Sequence, residues 1–100
     1  MAHYDLDAVK AAARADRVEI PRKDSIRYRE AGLTRDDVCG YLASLREQDF
    51  DKTHLRDGGP AEDSYIVRER DRWGERTTYI KFSMFKREAD EYVLLVSIHL

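Results

Sequence analysis

A single cysteine, Cys39, leaves the chain unable to form an internal disulfide or a cysteine-rich metal site. A reducing, cytoplasmic compartment is the natural setting for such a sequence. Apolar runs are short, and none approaches the roughly 20 residues that a membrane-spanning helix needs. The opening MAHYDLDAVK has no apolar segment of the signal-peptide kind. Repeats, low-complexity tracts, linkers and phosphate-binding glycine loops are all missing. The histidines, His3, His54 and His99, show no paired metal-ligand spacing, so neither a metal nor another cofactor is expected. Net basic charge is missing too: the formal charge is -2, which argues against general affinity for nucleic acid.

What is present is patterned charge and patterned apolarity. Charged residues make up 38% of the 100 positions, which suits one small domain with much surface for its volume. The distribution is uneven. From Lys52 to Arg87 nine Lys/Arg face six Asp/Glu, whereas the first half is net acidic.

The first half reads as helices. In DLDAVKAAARAD, Asp5 is a candidate N-cap, and Leu6, Val9 and Ala13 share a face. VEIP is short and extended, because Pro21 forbids a helix through it. DSIRYREAG begins at a second candidate cap, Asp24, and stops at Gly32. LTRDDVCGYLASL opens with Thr34 and Asp37 as a capping box, and Val38, Tyr41, Leu42 and Leu45 form its stripe. The second half reads as strands. DFDKTHLRD is extended, DGGP turns the chain, and DRWGE is a hairpin loop. In RTTYIKFSMF, Ile80, Phe82 and Met84 face one side and Tyr79, Lys81 and Ser83 the other. In YVLLVSIH, Leu94, Val96 and Ile98 are expected on the core side, with Leu95, Ser97 and His99 opposite. The expected fold is α+β: one domain over 1–100, helical over 4–46, with antiparallel strands over 50–99 covered by helices on one face. Tyr79, Lys81, Ser97 and His99 then share the other face.

In this order the segments resemble the MqsR family of toxin–antitoxin mRNA interferases, which have a RelE-like fold. HYDLDAVKAAARADRV is similar to the family's opening helix, and DSIRYREAGLTRDDV to its helix, Gly-Leu break and next helix. SLREQDFDK, EDSY, TYIKF and VLLVSIH resemble the segments that carry its site. The resemblance places functional residues at Lys52, Glu62, Tyr79 and His99; Glu62 stands where the family has Gln, and His99 where it has Lys. KTHLRDGGPAED replaces the family's Lys-Ser-Met-Thr-Thr-Tyr stretch. The resemblance implies sequence-selective cleavage of single-stranded messenger RNA without a metal, and neutralisation by a cognate antitoxin.

Metal-free cleavage by the 2′-OH needs a base, positive charge on the phosphorane and an acid for the leaving 5′-oxygen. Glu62 is the candidate base. Lys52 and Lys81 are candidates for the phosphorane, and Arg68 and Arg70 for forked phosphate contacts. His99 is the candidate acid, since imidazole exchanges protons near neutrality. His54, on the strand face of Lys52, is the alternative acid. Tyr79 offers stacking or a phenolic donor. Two rival readings use the same residues: a non-catalytic module that binds RNA or antitoxin, and a nuclease that needs the ribosome. The plain alternatives are an idle terminal His99, a loose His3, a buried Cys39, a solvated RERDRWGER hairpin in which Arg68, Arg70, Arg72 and Arg76 form ion pairs, and a Trp73 that caps the sheet edge rather than stacking on a base.

Overall fold

The computed structural model describes residues 1–71 and 74–99, with the side chains at 70, 71 and 74 outside that description. The roles considered for Arg70, Arg72 and Trp73 therefore lie outside the described residues. Three helices precede the main strands: α1 (Leu6–Arg14), α2 (Arg22–Glu30) and α3 (Arg35–Ala43), with the short strand β1 (Val18–Glu19) between the first two. A 3-10 turn at Glu47–Asp49 leads into β2 (Phe50–His54), β3 (Glu62–Asp71), β4 (Gly74–Arg87) and β5 (Asp90–His99).

Local chemistry sets the helix ends. Asp5 caps α1 by accepting from the Ala8 amide at 3.3 Å. The box at α3 is present in full: Thr34 Oγ1 accepts from the Asp37 amide, and the Asp37 carboxylate accepts from the Thr34 amide at 2.7 Å. Gly32, at φ +83°, ends α2, and the Leu33 amide returns to the Tyr28 carbonyl at 2.9 Å. Asp24 is not the cap expected of it. The helix starts two residues earlier, after Pro21, whose carbonyl accepts from the Asp24 and Ser25 amides. Asp24 is instead buried in the first turn, where a carboxylate suits the positive end of the helix.

The sheet order is β1-β5-β4-β3-β2. The hairpin-joined strands are antiparallel as expected, but β1 runs parallel to β5, so the sheet is mixed. Val9, Ala12, Val38 and Leu42 from the helices meet Tyr65, Ile80, Phe82, Val93, Leu95 and Ile98 from the sheet in one buried cluster. Ile80 and Phe82 face inward as the alternation in β4 predicts, and Met84 packs against them. The final strand departs from its expected phase. Val93 and Leu95 are fully buried and Leu94 and Val96 only half-buried, yet Ile98 is buried. Phe82 pairs with Leu95 while Lys81 pairs with Ser97, leaving Val96 as a bulge residue. The bulge resets the alternation, so Ser97 and His99 face away from the core.

His3, expected to be loose, belongs to a fixed segment. Asp63, with no exposed surface, accepts from the His3 and Tyr4 amides at 3.1 and 2.8 Å and from the Thr53 hydroxyl. The Tyr4 hydroxyl donates to the Ala61 carbonyl at 2.6 Å. One carboxylate thus fastens the N-terminal segment across β2 and β3. Replacing Asp63 by Ala leaves three donors without this acceptor and is expected to lower the unfolding free energy by about 2–3 kcal/mol in a urea titration. A loss under about 0.5 kcal/mol, typical of an ordinary surface change, would show that the carboxylate is no anchor.

Candidate active site

The sheet face turned away from the core carries the polar residues of β2 to β5 in rows. One row crosses four strands: Lys52 pairs with Ser64, Ser64 with Lys81, and Lys81 with Ser97. The row beside it holds Ile66, Tyr79 and His99, and on the other side His54 pairs with Glu62. Neighbouring strands are about 4.8 Å apart, so the long row is roughly 14 Å from end to end. Lys52, Glu62, Tyr79, Lys81, His54 and His99, far apart in sequence, therefore lie within three adjacent rows. Arg68 pairs with Thr77, one row beyond Tyr79, and is exposed. The side chain of Arg70 falls outside the described residues.

A second bulge turns the β2 residues onto this face. Phe50 pairs with Tyr65 and Lys52 with Ser64, so Asp51 is the extra residue. Phe50 packs edge-on against Tyr65 at 5.5 Å, on the core side. Lys52 and His54 then alternate outward, while Thr53 points inward to Asp63.

Hydrogen bonds knit the face. His54 Nε2 lies 3.1 Å from Ser64 Oγ, which in turn contacts Asp51 Oδ2 at 3.0 Å and the Lys52 carbonyl at 3.2 Å. His99 Nε2 lies 2.7 Å from Ser97 Oγ and 3.4 Å from Arg27 Nη1 on α2. The rings of Tyr79 and His99 are 5.9 Å apart between centroids. Glu62 differs from its neighbours in being only 5% exposed. Arg56 Nε approaches its Oε1 to 3.3 Å, without the alignment of a hydrogen bond. Ser64, Asp51, Arg27 and Arg56 are site neighbours that motif reading overlooks, whereas Ser97 stands on the face where alternation places it. Ser64 is accessible in principle through strand alternation, whereas nothing in sequence ties Arg27 to a residue 72 positions away.

A family profile described as "Motility quorum-sensing regulator, toxin of MqsA" matches residues 1–99. The chain belongs to this MqsR toxin family. It is thus a toxin of a toxin–antitoxin system, with an antitoxin as the partner that membership implies. No curated protein matches the chain significantly. The α+β arrangement of this MqsR toxin, helices first and sheet after, is the one expected of it. Among the described residues no helix is long and apolar enough to cross a membrane, and no three His, Cys, Asp or Glu are grouped to hold a metal ion.

Two other ionisable groups of the chain sit apart from the face. Cys39 is half-buried, and burial holds its thiol above the ordinary value. Tyr65 stacks on Phe82 at 5.6 Å, and burial, followed by the nearby Asp63, Glu47 and Asp49 carboxylates, pushes its phenol up to about 12. Tyr65 therefore stays neutral and serves packing, whereas Tyr79 lies on the outer face. An unfolded Tyr releases its proton near pH 10, about two units before folded Tyr65 does. Stability should consequently fall as pH rises from about 10 to about 12. Denaturant unfolding across that interval is expected to show a shallower fall for Tyr65→Phe than for the parent; equal slopes would place the raised phenol elsewhere.

Proposed function

We propose that the chain is an endoribonuclease toxin that cuts single-stranded messenger RNA in the cytoplasm by attack of the 2′-OH, and that its antitoxin partner silences it. One observation carries this reading beyond family membership: Lys52 and Lys81 flank Ser64 in a single row of an open sheet face, next to Tyr79 and His99. Two strand spacings, about 10 Å, separate the lysine backbones, and their side chains are long enough to converge on one phosphate. Converging ammonium groups stabilise the charge that develops on the phosphorane. Tyr79 offers a ring to a base, and His99 exchanges a proton at the row's end. Arg68 lies where the next phosphate along the sheet would pass. Glu62, buried, bears on the site through Arg56.

The test is incubation of the purified chain with a long synthetic RNA in EDTA, with the new ends sequenced and typed. Cuts at a recurring short motif, leaving 2′,3′-cyclic phosphate and 5′-OH ends, are expected. Lys81→Ala and Lys52→Ala should each lower kcat by about 10²-fold while the thermal unfolding transition stays in place. A second incubation adds ribosomes loaded with the same message. Cleavage confined to that arm would assign the positioning to the ribosome. RNA intact in both arms, from a chain that still binds its antitoxin, would overturn the nuclease reading in favour of a non-catalytic binding module.

A further inference from the structure

The row of paired residues has an internal symmetry that the proposed reaction needs. Ser64 and Ser97 lie on either side of Lys81, one strand away in each direction. Each serine carries an imidazole: His54 Nε2 on Ser64 Oγ at 3.1 Å, and His99 Nε2 on Ser97 Oγ at 2.7 Å. Two strand spacings put the serines roughly 10 Å apart. Two imidazoles therefore contact the two serines that flank one lysine. An in-line displacement at phosphorus has its attacking and leaving oxygens on opposite sides of the phosphate.

Hydrogen-bond directions distinguish the two rings. Ser64 Oγ has one hydrogen, and two of its neighbours, the Asp51 carboxylate and the Lys52 carbonyl, can only accept. That hydrogen goes to one of them, so the contact with His54 is satisfied when Nε2–H donates to Ser64. At the other end, Arg27 Nη1 faces His99 Nε2, and a guanidinium can only donate. The Ser97 hydroxyl has its own proton to give, so both neighbours of His99 Nε2 are donors directed at a lone pair.

We propose, building on the nuclease reading above, that His54 and His99 form one acid–base pair around Lys81, with His99 as the base, His54 as the acid and Ser64 with Asp51 as positioning residues. His99 Nε2 takes the 2′-OH proton as the 2′-oxygen bonds to phosphorus. The bond from phosphorus to the 5′-oxygen breaks, and His54 Nε2 gives its proton to that oxygen. The products are a 2′,3′-cyclic phosphate and a 5′-OH, with both imidazoles left in the opposite protonation state. This assignment reverses the acid role expected for His99 and moves the base role from Glu62, which is buried beneath Arg56. The groups facing His54 are Asp51, Lys52, Glu62 and Ser64; those facing His99 are Arg27 from α2, Tyr79 and Ser97.

The deciding experiment compares ordinary RNA with RNA whose leaving 5′-oxygen is replaced by sulfur at the scissile position, since a thiolate departs without being protonated. On ordinary RNA, His54→Gln and His99→Gln should each lower kcat by about 10²–10⁴-fold. On the sulfur-bridged RNA, His54→Gln is expected to recover to within about tenfold of the parent, and His99→Gln is not. The parent should give a bell-shaped pH–rate profile, of which His54→Gln loses the basic limb and His99→Gln the acidic limb. Ser64→Ala should shift the basic limb and leave the acidic limb unmoved. Rescue of His99→Gln instead, or parental cleavage by His54→Gln on ordinary RNA, would overturn the assignment while leaving the nuclease standing. A parent inert toward both RNAs, with and without ribosomes, would overturn the nuclease reading and the pair together.

Discussion

Side-chain alternation in a β-strand has a period of two, so inserting one residue exchanges the faces of everything beyond it. The open face of this sheet depends on that constraint twice. Asp51 is the extra residue in β2 and Val96 the extra residue in β5. Phe50 and Leu95, next to the bulges, point into the core. With an unbroken alternation, Lys52 and His54 would follow Phe50 inward, and Ser97 and His99 would follow Leu95. The two bulges release all four to the other face, Lys52 and Ser97 at the ends of the row formed with Ser64 and Lys81, and His54 and His99 in the rows beside it. Bulges of this kind concentrate next to active sites because they re-aim side chains without interrupting the sheet for long.

The same parity separates two adjacent acids. Glu62 and Asp63 are neighbours in sequence and both are buried, yet they serve opposite sides of the sheet. Asp63 faces the helices and gathers the first residues of the chain, with two backbone amides and a hydroxyl donating to it. A carboxylate with three such donors is well compensated for its burial. Glu62 faces the other side, with the guanidinium of Arg56 3.3 Å from its Oε1 and His54 paired beside it. A half-compensated carboxylate of this kind contributes little to stability. Tyr65, three residues after Glu62, completes the division of labour as a buried ring whose phenol stays neutral across the physiological range.

A link to the helical layer comes from Arg27. It reaches from α2 to the end of β5 and meets His99 there, at the edge that the short β1 leaves uncovered. Tyr28, next to it, is buried in the core. The placement of one ring of the site is therefore tied to helix packing, whereas the other ring is held within β2 and β3 alone. A disturbance of α2 should be felt at His99 before it is felt at His54.

Short-range rules made much of this protein legible in its sequence. The Thr34–Asp37 box, the Asp5 cap, the Gly32 stop and the inward set of β4 all follow from local hydrogen bonding and from period-two alternation. The order of segments made the toxin family recognisable, and alternation along β4 put Tyr79 and Lys81 on one face. Asp24 is not the cap because Pro21, three residues before it, itself stands at the N-cap. Only the tertiary structure decided the rest. A bulge is a property of two paired strands, so neither Asp51 nor Val96 announces itself in a single chain. The meeting of Ser64 with His54, of Arg27 with His99, and of Asp63 with the N-terminal amides depends on registers and packing across 10 to 72 residues of chain. Sequence determines which side chains are available and which way each strand alternates; the pairing of strands fixes where that alternation is reset, and so which of them share a face.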